Sequence, residues 1–216
     1  MKQKVVLSIL FFCACGLFAD INPDALRHYN EGVNYYNKNN FDLAIVEFTS
    51  AIEIFPEYTE AYVERGNCYD NKSDVIKALE DYLKAGEYDK RYLLFARGYE
   101  CASDTVAEYE EAISVLSQCI EQKINPFVAY CMRGNSYGAI DDFDNAYEDY
   151  TAAIRISPNL FQPYFSRGGI NILLGNFHQA MTDFEMSMRL YPDFVMAAFF
   201  LEVLYEMLGD GSKFLL

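Results

Sequence analysis

Residues able to bind ions or carry out catalysis are few in this chain, and their spacing suits neither task. The densest acidic cluster is Asp141, Asp142 and Asp144, set around Phe143. Carboxylates so close together suggest a calcium loop. Such a loop needs further oxygen ligands and a glycine at its sharp turn, and the stretch has neither. The two histidines, His28 and His178, lie far apart, and neither has a cysteine or second histidine at metal-ligand spacing. No Ser-His-Asp ordering and no glycine-rich phosphate loop occurs. Arg133-Gly134-Asn135 could grip a ligand, and its neighbours decide whether it does. On these residues the protein is not an enzyme and calls for no metal or cofactor.

Composition narrows the partners. The chain has 216 residues, of which 52% are hydrophobic, with 18 tyrosines, 17 phenylalanines and no tryptophan. That is enough apolar material for one or two ordinary domains. Basic residues number 17 against 32 acidic ones. So negative a field repels phosphate backbones, which disfavours nucleic acid, and it disfavours adsorption to anionic membrane surfaces. It is compatible with a cationic partner, although solubility alone explains it.

Residues 1–19 stand apart. Lys2 and Lys4 precede an uncharged, mostly apolar run from Val5 to Phe18, and Asp20 is the first acid. This order matches a secretory signal, and the run is short of the roughly 20 residues that span a bilayer. Cleavage after Ala19 is one outcome. Lipidation of Cys15 is the other, since Phe12-Cys13-Ala14-Cys15 resembles a bacterial lipoprotein box. The expected location is the periplasm or cell envelope, with a possible lipid tether. Loss of Lys2 and Lys4 takes the charge from −15 to −17.

The remainder is periodic. Ala44, Ala78, Ala112, Ala146 and Ala180 are 34 residues apart, and each is followed four residues later by Phe48, Tyr82, Leu116, Tyr150 or Phe184. Three residues before the alanines stand Phe41, Val75, Tyr109, Phe143 and Phe177. Ala51, Ala85, Cys119, Ala153 and Ser187 form a further small series, and Pro56, Pro158 and Pro192 close three units. The glycines Gly32, Gly66, Gly98, Gly134 and Gly168 repeat at 34, 32, 36 and 34, so the third unit starts early and carries a longer internal turn. Each unit reads as two helices. Aromatic and apolar residues around each glycine share one face of the first. Asn40, Asp74, Asp142 or Asn176 caps the second, with Glu108 a weaker cap in the third unit. Asp142 is therefore a helix cap before it is a metal ligand.

This pattern resembles the tetratricopeptide repeat (TPR) family, whose 34-residue period and Gly, Tyr, Ala, Phe and Pro positions it shares. The resemblance covers residues 25–58, 59–90, 91–126, 127–160 and 161–194, with residues 195–208 as a further helix covering the last unit. It implies an all-α, right-handed TPR solenoid of about five helix-turn-helix repeats plus a C-terminal capping helix, spanning less than one superhelical turn and so open along its groove. It also implies a non-catalytic scaffold that binds a peptide or protein segment, an adaptor in a cell-envelope complex. The alternative is a small-ligand carrier serving a transport system, which a closed apolar pocket among Tyr29, Tyr36, Phe95, Tyr99 and Phe165 would favour. Self-assembly through residues 195–208 is a third reading.

By the same resemblance, Asn67 and Asn135 face the groove, where an asparagine can hydrogen-bond a bound backbone. Tyr29, Val33, Tyr36, Val63, Asp70, Phe95, Tyr99, Cys131, Phe165 and Phe199 join them. None of these is basic, which departs from relatives that clamp a carboxylate, and an extended or helical segment with apolar anchors fits better. Arg65, Arg97, Arg133 and Arg167 recur with Glu47, Asp81, Asp149 and Asp183, which suggests ion pairs between stacked helices rather than a ladder for an anion. Cys68, Cys101, Cys119 and Cys131 allow three complete pairings, among which sequence does not choose; buried free thiols are expected, and Cys119–Cys131, on successive helices, is the least implausible pair. Asn71-Lys72-Ser73 is a glycosylation sequon wherever that machinery exists.

Overall fold

The computed structural model describes residues 21–101 and 105–209. The signal segment, Cys15 and the side chain of Cys101 lie outside that description. Among the described residues there are eleven α-helices: α1 Pro23–Tyr36, α2 Phe41–Ile54, α3 Thr59–Asn71, α4 Val75–Tyr88, α5 Arg91–Cys101, α6 Val106–Glu121, α7 Pro126–Ala139, α8 Phe143–Ile156, α9 Gln162–Leu173, α10 Phe177–Leu190 and α11 Val195–Met207. Consecutive helices pack as antiparallel neighbours, and five pairs followed by α11 build an all-α solenoid.

The second helix of most pairs starts at an Asx cap. The side chains of Asn40, Asp74 and Asp142 accept the backbone N–H groups of Leu43, Lys77 and Asn145 at 3.3 Å, which satisfies one of the unpaired donors at each helix start. Asn176 occupies the same place without a side-chain cap bond. The third unit differs from the expectation. Thr105, not Glu108, is the cap, because α6 begins earlier than the register requires. Glu108 instead returns a bond to the Thr105 N–H at 2.8 Å while its own N–H reaches the Thr105 hydroxyl, a reciprocal capping box. The residue before the cap is left-handed at Asn39, Ser73, Asp141 and Gly175. Asp141 thus fills a turn position that short polar residues and glycine tolerate.

Glycine sets the spacing inside each pair. A Cβ on Gly32, Gly66 or Gly168 would meet the ring of Phe48, Tyr82 or Phe184 at 2.7–2.8 Å. Gly134 faces Tyr150 and Gly98 faces Leu116 in the same way. Each ring or branched side chain is thus pressed against bare backbone, and all five are buried.

The arginines knit neighbouring pairs together. Arg133 makes a two-pronged contact with Asp149, at 2.8 and 2.7 Å, and its third nitrogen donates to Ser117 on the preceding α6. Arg65 does the same with Asp81 and Thr49, and Arg167 with Asp183 and Thr151. Each guanidinium therefore ties three helices together and has its fork spent on carboxylate. Tyrosine rings flank them: Tyr130 and Tyr137 for Arg133, Tyr147 and Tyr164 for Arg167. The first unit has Glu31 before its glycine, and His28 takes over, with its Nδ1 at 2.7 Å from Glu47. In the third unit Val115 replaces the acid, and Arg97 pairs with Glu111 instead.

The curvature differs from the open arc that the resemblance implies. The turn between α1 and α2 reaches the loops on either side of α9 and α10. The Asn39 side chain donates to the carbonyls of Asn159 at 2.9 Å and Leu190 at 3.3 Å. Phe41 meets Phe161 with ring centroids 6.3 Å apart, and Tyr36, Phe48, Leu160 and Phe161 are buried in one cluster, with Tyr191 and Phe194 packed against it. Burial of this aromatic surface draws the first unit onto the junction of the fourth and fifth. No helix among the described residues is long and apolar enough to cross a membrane.

Candidate binding cavity on the inner face

The first helices of the pairs line the inside of the curve. A partly enclosed cavity of about 390 Å3 lies among α3, α5, α7 and α9. Of the residues expected in a groove, Asp70, Tyr99, Cys131, Asn135 and Phe165 line it. A second cavity of about 230 Å3 takes in Val33, Tyr36 and Asn67, together with Glu64 and Asn125. Phe127 lines both and divides them.

Tyr29, Val63 and Phe95 line neither. Phe95 is wholly buried, with its ring edge-on to Tyr82 at 4.7 Å, Val63 is buried in a core cluster, and Tyr29 packs between Phe48 and Tyr58. Their spacing on the helix is that of inner-face residues, but neighbouring pairs approach closely enough to absorb them as core. Phe199 is exposed on α11, away from both cavities. Tyr29, Tyr36, Phe95, Tyr99 and Phe165 therefore do not form the single apolar pocket that would mark a carrier.

The two asparagines part company. Asn67 is buried: its oxygen accepts from the Tyr82 hydroxyl at 3.0 Å and from Asn125 at 2.7 Å, and its amide donates to Glu64. The oxygen is saturated, and burial keeps the amide from a partner. Asn135 is exposed; its oxygen accepts from Tyr150 at 2.6 Å, and its amide group faces the cavity. A sequence signal for this was available. Asparagine follows the repeat glycine in the two units whose second helix carries tyrosine rather than phenylalanine or leucine, so each asparagine first satisfies a buried hydroxyl.

Among the described residues, Asp70 and Glu64 are the charged groups that line the two cavities. The Tyr99 hydroxyl donates to Asp70 at 2.8 Å. Burial pushes the Asp70 carboxyl up to about 6, against the opposing effect of that hydrogen bond. Burial likewise raises Glu64, a residue that sequence reasoning missed because its position in the unit varies in type. Burial also raises the Cys131 thiol, and raises Cys119 to about 11, so neither is an activated nucleophile. Cys68, Cys119 and Cys131 are free thiols, and the Cys119–Cys131 pair is not formed. Asn71 of the sequon donates to the Asn67 carbonyl at 2.6 Å and to the Tyr36 hydroxyl, so its amide is engaged inside the fold.

Among the described residues, one partly exposed group has metal-ligand character. Donor atoms of His28, Glu31 and Glu47 lie within 4.8 Å of one another. Arg27 contacts both His28, at 3.0 Å, and Glu31, at 3.3 Å, so a cation already holds these groups.

The repeat tie of arginine to carboxylate, the glycine-to-ring contacts and the helix pairs coincide with independent likenesses. Residues 128–160 match the family model described as tetratricopeptide repeat. A segment of 129 residues, 55% of the chain, is 27% identical to tetratricopeptide repeat protein 6 of Homo sapiens. The fold is that of a tetratricopeptide-repeat solenoid. A segment of 94 residues, 44% of the chain, is 31% identical to superkiller protein 3 of Schizosaccharomyces pombe. The matched segments make up only 25% and 7% of those two longer proteins. Among solved structures, a thermophilic TPR protein of Thermus thermophilus, TTC0263, shares the fold with a TM-score of 0.58 at 17% identity, over 84% of this chain and 99% of the other. TPR proteins are in general protein-interaction scaffolds rather than catalysts.

Proposed function

We propose that this TPR protein is an exported adaptor of the cell envelope that receives a segment of a partner protein in the cavity lined by Asp70, Tyr99, Cys131, Asn135 and Phe165. The observation that carries the reading is the convergence of four first helices on a cavity of about 390 Å3. Its walls combine aromatic faces with a few fixed polar groups, the make-up of a site that selects by shape and by a small number of hydrogen bonds. Arg65, Arg133 and Arg167 take no part, since their forks are held by carboxylates and hydroxyls within the fold. Export rests on the Lys2 to Ala19 segment, with Cys15 as the point of a lipid tether.

A second reading, a small-ligand carrier, has one observation behind it. The contact of Asn39 with Asn159 and Leu190 narrows the curve, and a bulky partner has less room than in an open arc.

A photo-crosslinking amino acid at Asn135, compared with one at the exposed convex residue Val46, tests the first reading in cells. A discrete protein adduct from position 135 and none from position 46 is expected. Absence of any protein adduct, together with a small molecule co-purifying with the wild-type chain, would replace the adaptor by the carrier.

A further inference from the structure

The adaptor reading leaves the chemistry of the bound segment open, and the cavity wall narrows it. Two features there lack a counterpart. Asp70 presents a partly buried carboxylate whose side-chain partner among the described residues is the neutral Tyr99 hydroxyl. Among the described residues, no lysine, arginine or histidine lines this cavity or its neighbour, and the neighbour adds the carboxylate of Glu64. Gln162 lines the same cavity, and its amide nitrogen and oxygen are buried with no hydrogen-bond partner among the described residues, so that a turn of this side chain brings both to a ligand without breaking a bond.

Each feature specifies part of a ligand. A side-chain amide with both donor and acceptor free matches a peptide unit, which offers one acceptor and one donor at similar separation. An unpaired buried polar group costs free energy that such a ligand returns. A carboxylate held away from water gains most from a cation that brings hydrogen-bond donors of its own. The rings of Phe127 and Phe165 offer faces for the methylene stem and charged head of a long basic side chain. An anionic ligand, by contrast, meets like charge from Asp70 and Glu64.

On the adaptor reading, we infer that the cavity binds a partner segment through a lysine or arginine side chain, paired to Asp70 and held by backbone contacts to Gln162. This reverses the polarity of sites that grip a terminal carboxylate with basic residues.

The test uses the full mature chain and a random peptide library displayed on phage. Selected peptides are then made with acetylated and amidated ends. Enrichment of peptides sharing a lysine or arginine beside apolar residues is expected. Changing that basic residue to norleucine should weaken binding by about tenfold or more in the wild type. The same change should have little effect in Asp70→Asn, an isosteric variant whose folding is checked by thermal melting, and Gln162→Leu should weaken all selected peptides alike. Peptides without a basic residue that still lose affinity in Gln162→Leu would overturn the cation assignment and leave the adaptor standing. No enrichment, or binding indifferent to both variants, would remove the peptide site altogether. Butylammonium that binds as tightly as the peptides would mean that the site takes a free cation instead.

Discussion

The side-chain amide of Asn39 lies 2.9 Å from the backbone carbonyl of Asn159, a residue 120 positions further along the chain. Asn39 is buried and left-handed, with φ of 57°, so its backbone and side chain are both committed to this contact. It fastens the first unit of the solenoid to the junction of the fourth and fifth.

Asn39→Asp places a carboxylate against two carbonyl oxygens, those of Asn159 and Leu190, and removes the donor. The expected outcome is an opened curve with the helices intact. Small-angle X-ray scattering should show a larger radius of gyration, while helical circular dichroism stays at the wild-type level. An unchanged radius would mean that the aromatic contact of Phe41 with Phe161 holds the closure alone.

Gly66→Ala puts a methyl group 2.7 Å from the Tyr82 ring, which is wholly buried and tied to Asn67. With neither side free to yield, overpacking should cost about 1–3 kcal/mol. Gly169→Ala, where a Cβ meets nothing within 4 Å, is the control and should not destabilise. Urea denaturation midpoints of the two variants settle the comparison.

Arg133→Ala strands the Asp149 carboxylate, which is only 5% exposed, and releases Ser117 from its tie. Removing one member of such a buried pair should cost about 3 kcal/mol or more. Partner affinity, measured below the melting transition, should change far less, because Arg133 does not line the cavity. Arg133→Lys should recover only part of the loss, since a single ammonium cannot reproduce the fork. A stable Arg133→Ala variant that has lost its partner would assign the arginine to binding.

Asp70 predicts a pH dependence. Burial raises its carboxyl from 3.8 to about 6, so between those values the folded protein holds a proton that the unfolded chain has lost. This group therefore destabilises the fold at neutral pH, and the penalty fades as pH falls through 6 towards 4. Asp70→Asn should be more stable than wild type at pH 7, by no more than about 3 kcal/mol. The two should converge near pH 4. Melting temperatures of both proteins across that range measure the difference, and a constant gap would place the carboxylate in solvent.

Much of the scaffold was legible from the chain because the interactions repeat in register. Gly66 with Tyr82, Arg133 with Asp149, and the caps Asn40 and Asp142 each join residues of one unit. The Glu108 cap was misplaced because Thr105, outside the 34-residue register, offered a capping box that fits its helix better. The inner-face residues were only partly legible. The same spacing puts Asp70 and Tyr99 on a cavity wall and Phe95 in the core, since helical phase says which side a residue faces but not how near the next pair approaches. Asn67 and Asn135 look alike in sequence, yet Asn125 reaches across to occupy one and leaves the other free.

The sequence by itself determined the repeat, the pairing of its helices and the ties between adjacent units. These depend on neighbours within about one period, and a solenoid's stability is largely the sum of such local terms. Tertiary structure alone decided the curvature, the contact of Asn39 with Asn159 and the cavity on the inner face. A small rotation at each interface accumulates over five units, and no single unit encodes the sum. Whether the ends meet depends on how aromatic residues as distant as Phe41 and Phe161 bury one another.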